Sequence, residues 1–383
     1  MAETKKNTHI RFLHCSDIHL DAPFVGLSPE KSDERRRELR STCMRMMHYV
    51  RARGVNVVLI SGDLFNSRYA TNQTAETLIR EFRNCPETVF IIAPGRSDAY
   101  LDNPIYTSGR LPSNVYVFAE DRLSRFDFDE WGVTVYGWAM TGRERMENPL
   151  YEKTVDDVSR INIVCGYADL DGEIDSPDCP VSSTDLERFG ADYYALGSHH
   201  EGSDFAKIGE SIYSYSGSLE CTGFDAPGIG GANLIVVDYK DDELAIDVKR
   251  VSFGHLRFVT EQMDIEGVNA QNEIVNRISR RISEKKYGQE TALRVELTGK
   301  VDPYFPIPQS LESDAFGLYY FDLVDKTLPL YGTDHFLRDM TAAGEVYRQM
   351  LPLFESEDEE ERLTAVRALR VSLLALEGKD LLI

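Results

Sequence analysis

The feature that most narrows the fold is an alternation near the amino terminus, in which short β-branched apolar runs are separated by amphipathic helical segments. Residues 9–14, 55–61 and 88–93 read as buried strands, each followed by a polar or glycine-containing turn. Between the first two, residues 32–54 carry Leu39, Met46, Met47 and Val50 at near-helical spacing, and Gly54 reads as the carboxyl cap. A second helix is expected around residues 74–83. The order strand, helix, strand, helix, strand favours a largely parallel sheet with helices outside it.

Further strands are expected at residues 114–118, 132–138, 161–166, 192–196 and 211–214, then a hairpin of 232–239 with 243–251. So many strands over so few helices imply a second sheet packed on the first. From about Phe253 the pattern restarts, with a strand at 256–263, a basic helix at 270–286 and strands at 292–298 and 317–323, enough for a small α+β domain. The tail holds two helix candidates. In the second, Ser356 and Glu359 fit a capping box and Gly378 follows the last turn. Leu363, Val366, Leu369, Leu373 and Leu376 then form one apolar stripe; packing on its own protein is the favoured reading, and a docking face for a partner helix is the alternative. A chain of 383 residues exceeds what one core usually supports. The expected division is 1–252, 253–332 and 333–383.

The charge balance bears on partners. A net charge of −22 and the lack of a long basic run disfavour DNA binding by this chain alone. A bound metal would offset clustered carboxylates, and a partner subunit can supply positive surface. Six scattered cysteines without a CxxC pair suit a reducing compartment. No apolar run approaches the ~20 residues of a membrane span, and the amino terminus lacks the apolar middle of a signal peptide. A cytoplasmic, non-membrane protein is therefore expected.

Chemistry-bearing residues gather after predicted strands. Asp17-Ile18-His19 follows the first, with the Asp and His on the same side of the backbone by alternation. Asp63, in Ser61-Gly62-Asp63-Leu64, follows the second, and Gly197-Ser198-His199-His200 follows residues 192–196. Strand carboxyl ends are where open α/β sheets gather ligands. Two carboxylates and two imidazoles there suit manganese, iron or zinc. His14, within the strand, reads as a packed, hydrogen-bonded histidine; Asp21 and Asp98 read as loop-orienting residues.

These motifs, in this order, resemble the signature of calcineurin-like metallophosphoesterases. The stretches FLHCSDIHLDAPF, SGDLF and YYALG are most similar to the SbcD and YhaO branch of bacterial DNA-repair exonucleases. Likewise LRVELTGKVDP, RDMTAAGEVYRQML and ALRVSLLALEGKDLL resemble that branch's cap domain and tail. The resemblance implies a four-layer αββα sandwich, a small α+β cap and a helical tail. It further implies a first metal held by Asp17, His19, Asp63 and His200, with Asp63 bridging to a second. One divalent metal, manganese first and iron or zinc next, is the implied cofactor.

The departures are equally specific. The family's G-N-H-D is here Gly95-Arg96-Ser97-Asp98, so Arg96 replaces a metal-binding Asn and Ser97 the His that assists the leaving group. The family's H-G is Cys165-Gly166, and the first His of G-H-x-H is Ser198. All three remaining ligands of the implied second site, at Arg96, Cys165 and Ser198, have therefore changed. Cys165 reads as a small buried filler or, alternatively, a thiolate of a rearranged site; His199 is a candidate substitute ligand that alternation points away from His200. Ser97 cannot act as an imidazole acid near neutral pH. Three functional expectations follow: a pseudo-nuclease or scaffold subunit, a one-metal phosphodiesterase using Arg96 as electrophile, or a regulatory partner of an SbcC-like or YhaN-like coiled-coil ATPase. The resemblance also implies a homodimer, with DNA contacted in company with the partner.

Overall fold

The structure is a computed structural model that describes residues 8–24, 29–142, 147–172, 178–240, 243–302, 305, 307–308, 311, 313–329, 333–354, 356, 358–376 and 378. The chain divides into two compact units, Met1–Arg257 and Phe258–Ile383.

In the first unit, the strand Thr8–Cys15 lies between Gly228–Lys240, to which it is antiparallel, and Val57–Ser61, to which it is parallel. Val89–Ala93 and Val115–Val117 continue the parallel order. Both faces of this sheet are covered, which is why its strands read as continuous apolar runs. Alternation sends Ile10, Phe12, Val57, Leu59 and Ile91 to a core shared with a second sheet. It sends Leu13, Val58, Ile60, Phe90 and Ile92 to the opposite face. There they meet Met46, Met47 and Val50 of helix Pro29–Arg53, and Leu78 and Phe82 of helix Asn72–Arg83.

The second sheet runs in the order Ala206–Ile208, Ser211–Tyr215, Tyr193–Gly197, Ile161–Tyr167, Val133–Gly137, Ser124–Phe128. Its outer face places Tyr136, Val164, Tyr194 and Leu196 against Leu186 and Phe189 of helix Ser183–Phe189. Helix, sheet, sheet and helix thus form the expected αββα sandwich. The edge strand Ser124–Phe128 was not anticipated, because its burial alternates between partial and exposed and its sequence carries charges.

His14 shares the inter-sheet face with Ile10 and Phe12 and is fully buried. A run of donors satisfies it: Asn233 Nδ2 donates to Ser214 Oγ (3.0 Å), Ser214 to Tyr193 Oη (2.7 Å), and Tyr193 to His14 Nδ1 (3.0 Å). His14 Nε2–H closes the run on the Leu196 carbonyl (3.1 Å). That arrangement requires a neutral ring, and burial lowers the His14 pKa to about 3. The packed-histidine reading holds.

In the second unit, the end of the long strand Glu243–Asp264 is followed by helix Gln271–Lys285 and the parallel strands Thr291–Thr298 and Tyr320–Asp325. Ile274, Ile278 and Ile282, one turn apart, face Leu293, Val295 and Leu297 in a core of their own. The anticipated restart at Phe253 is corrected: Glu243–Asp264 is one unbroken strand, since a glycine at 254 supplies no turn when its neighbours keep pairing.

Among the described tail residues, helix Ala342–Phe354 packs on Glu359–Leu376, with Tyr347, Leu369, Leu373 and Phe336 in contact. Val366, Leu369 and Leu373 are buried, in keeping with the packing reading of the stripe, whereas Leu376 is exposed. The Leu363 and Glu359 side chains fall outside the described residues. The expected cap is also corrected. Asp358 caps the last helix, accepting from the Glu360 and Glu361 backbone N–H groups, while Ser356 accepts from Asp358 N.

The His14 linkage gives a signed expectation. Below the ordinary pKa of 6.5, the unfolded chain takes up a proton that the folded protein refuses until about pH 3, so stability falls as pH drops through that window. Between pH 6.5 and 5 this one residue should remove about 2 kcal/mol of stability. Urea unfolding followed by fluorescence of Trp131 and Trp138, both in the first unit, should show that acid loss in the wild type and a flatter profile in His14→Asn.

Candidate metal centre

The site forms where the two loops after the first two parallel strands zip together. Asp17 N donates to Gly62 O (3.1 Å), His19 N to Asp63 O (2.8 Å) and Leu20 N to Leu64 O (3.0 Å). Asp17, His19 and Asp63 all adopt left-handed backbone angles, with φ of 49°, 49° and 52°. Such angles are uncommon for non-glycine residues, and they cluster at functional sites where the surroundings enforce them.

Two buried carboxylates do the enforcing. Asp98 accepts from the backbone N–H groups of Asp63, Leu64, Phe65 and Gly95 and from the Tyr106 hydroxyl. Asp21 accepts from Arg40, from Thr71 N and from Thr74 Oγ1. Both are the loop-orienting residues that the sequence suggested. Gly95 has no room for a side chain, because a Cβ there would lie 2.4 Å from Asp63 Oδ1.

Asp17, His19 and His200 bring one ligand atom each to within 4.8 Å of one another. His19 Nε2 lies 3.1 Å from His200 Nε2, 3.6 Å from Asp63 Oδ2 and 4.0 Å from Asp17 Oδ1. The outer ring nitrogens are taken: His19 Nδ1 faces Asn66 Oδ1 and His200 Nδ1 faces Asp225 Oδ2, each at 3.3 Å. Both partners can accept from the rings, and the two Nε2 atoms face each other at the centre. Asp17 Oδ1 is buried with no hydrogen-bond donor, and burial raises the Asp63 carboxyl, with the His19 charge opposing and Asp17 adding to the rise. An Asp17 oxygen without a donor and the facing Nε2 atoms of His19 and His200, with Asp63 beside them, fit a divalent cation.

The substituted positions behave differently. Ser97 uses its N–H (2.7 Å) and its hydroxyl (3.0 Å) to bond both oxygens of Asp63, the residue expected to bridge two metals. Cys165 is fully buried in the inter-sheet core with its thiol pushed up to about 12 by burial, so it is a protonated filler. The Ser198 hydroxyl donates to Ala168 O (2.8 Å). His199 stacks on Tyr215 at 4.0 Å and faces Asp169, away from His200. Arg96 pairs with Asp178 at 3.7 Å. Among the described residues Cys165 does not join the cluster of Asp17, His19 and His200, while Ser198 meets Asp17 Oδ2 through its backbone N–H at 3.3 Å. Sequence reasoning missed Asn66, Asp225, Tyr167 and Asp178. Asn66, three residues after Asp63, carried a weak positional signal; the others carried none.

A family model for calcineurin-like phosphoesterases matches residues 10–202. The uncharacterized metallophosphoesterase YhaO of Bacillus subtilis (strain 168) is 32% identical over 208 residues, which are 51% of this chain and 49% of that protein. The chain therefore spans about half the length of the curated relative it matches. Among solved structures, TT1561 of Thermus thermophilus is 11% identical with a TM-score of 0.39, over 63% of this chain and 99% of that one. Vacuolar protein sorting 29 from Cryptosporidium parvum is 14% identical with a TM-score of 0.28, over 64% and 100%.

If the carboxylate–imidazole cluster holds a cation, manganese at 100 times its dissociation constant should stabilise the wild type by about 2.7 kcal/mol. Asp17→Asn should unfold no more easily than the wild type without metal, because it removes a buried carboxylate charge whose Oδ1 has no donor and keeps an oxygen that can accept from Ser198 N. It should lose most of the manganese-dependent rise in Tm. Thermal unfolding with and without manganese measures both.

Proposed function

Because the chain belongs to the calcineurin-like phosphoesterase family, we propose that it is an SbcD/YhaO-like member of the DNA-repair exonuclease branch. On this reading it keeps one metal position and has lost two-metal hydrolysis, so that it serves as a binding subunit. The observation that carries the reading is the fate of the second position. Arg96 is paired with Asp178, Cys165 is sealed in the core, and Ser198 donates to a backbone carbonyl.

A divalent cation at the first position would polarise a phosphoryl oxygen. The chain's own residues supply the rest. Asp17, Asp63, His19 and His200 would hold the cation, with Asn66 and Asp225 fixing the two rings. Arg96 places a permanent positive charge beside the centre, able to hold an oxyanion but unable to activate water. The Ser97 hydroxyl is committed to Asp63 and cannot protonate a leaving oxygen near neutral pH, a role worth roughly 10²–10⁴-fold in rate. We also propose that a coiled-coil ATPase partner supplies the positive surface for DNA that a chain of net charge −22 lacks.

The test is manganese-dependent cleavage of bis(p-nitrophenyl) phosphate and of a DNA duplex, with metal content measured in parallel. Wild type, Asp63→Asn and the double variant Arg96→Asn/Ser97→His are compared. The expected result is one metal per chain and no turnover above the Asp63→Asn background. The double variant should stay inactive, because Cys165 and Ser198 still supply no imidazole. Wild-type turnover abolished by Asp63→Asn would overturn the proposal in favour of a one-metal phosphodiesterase with Arg96 as electrophile.

A further inference from the structure

We propose that Arg96 and the Tyr167 hydroxyl form a binding fork for a phosphate oxyanion, and that the Asp178 carboxylate fills this fork as an internal stand-in. The inference rests on the reading that no second cation stands beside Arg96.

One oxygen makes both contacts. Asp178 Oδ1 accepts from the Tyr167 hydroxyl at 3.2 Å and lies 3.7 Å from Arg96 Nη1. The fork borders the metal centre. Ser97, next to Arg96, bonds both Asp63 oxygens, and a Cβ on Gly95 would lie 2.8 Å from Tyr167 Cδ2 as well as 2.4 Å from Asp63 Oδ1. Tyr167 is itself fixed, because its ring fills the space beside Gly62 and its carbonyl accepts from the Trp138 indole (3.0 Å).

The stand-in fits less well than a phosphate would. A guanidinium binds oxyanions best through two parallel N–H donors, and a phosphate offers an oxygen to each donor while keeping others for a neighbouring cation. The contact from Asp178 Oδ1 to Arg96 Nη1 is long, at 3.7 Å, and the Arg96 side chain remains 40% exposed. Burial raises the Asp178 carboxyl; Tyr167 and Arg96 oppose the rise, while Asp169 and Asp17 add to it. Asp169 has His199 as a partner at 3.3 Å. With a cation held by Asp17 and Asp63, the charge that most directly opposes a phosphate at the fork is that of Asp178.

The experiment is calorimetric titration of inorganic phosphate into protein loaded with manganese and freed of excess metal, with metal content measured for every variant. Replacing a charged competitor by an isosteric amide should tighten phosphate binding by Asp178→Asn roughly tenfold. Arg96→Gln should weaken it by at least about tenfold in both backgrounds, and Tyr167→Phe by less. Arg96→Lys, which keeps the charge but not the planar pair of donors, should fall between wild type and Arg96→Gln. Phosphate affinity indifferent to Arg96 and Asp178, with one metal per chain, would overturn the fork and leave the one-metal reading intact. Two metals per chain would overturn that reading and the fork with it.

Discussion

Asp98 is a carboxylate with no exposure to solvent, placed behind the centre it supports. Four backbone N–H groups and a phenol converge on its two oxygens. A buried charge persists only when its hydrogen-bonding capacity is met, and this one is met by the loops that carry Asp63 and Arg96. Burial together with the nearby Asp63 charge pushes the Asp98 pKa up to about 7, while the hydrogen bonds from Tyr106, Gly95 and Phe65 pull it down. The donors cannot leave without stranding the carboxylate, and the carboxylate cannot move without stranding the donors. The left-handed turn at Asp63 is tied to this network, and through Asp63 O so is the backbone of His19.

On that frame the positions that match the family's motifs and those that depart from them fall into two groups. The first holds an Asp17 oxygen without a donor and two imidazoles whose Nδ1 atoms face Asn66 and Asp225. The second has become internally satisfied. Ser97 occupies Asp63, Ser198 occupies Ala168 O, and Cys165 has joined the apolar core. A guanidinium at position 96 carries a permanent positive charge and planar donors suited to oxyanions, and it cannot serve as a Lewis acid.

The sandwich that carries the site depends on period-two alternation with both sheet faces covered. Ile10, Phe12 and His14 enter the inter-sheet core, whereas Leu13 and Cys15 meet the helices. A polar residue on the inner face survives because Tyr193, Ser214 and Asn233 pass hydrogen bonds to it in one direction. All six cysteines are buried and free.

Alternating strands and helices, the inner helical core and the Asp17, His19, Asp63 and His200 positions were legible in the sequence, because each rests on local periodicity or on a short motif beside a strand end. The loop-orienting Asp21 and Asp98 and the packed His14 were legible for the same reason. Where two local signals competed, the reading failed: the restart read at about Phe253 falls inside a strand that runs on, and Ser356 with Glu359 suggested a cap that Asp358 supplies. What the tertiary structure alone decided are the partners brought from far along the chain. Asp225 comes to orient His200, Asp178 and Tyr167 come to face Arg96, and the carbonyl of Leu196 comes to accept from His14. Such contacts follow from the register and twist of paired strands, and no spacing along the chain encodes them. The sequence by itself determined which positions match the family's motifs and which depart from them; the fold decided that the departing residues are satisfied by the protein's own groups, because hydrogen bonding in a buried site is settled by proximity in space.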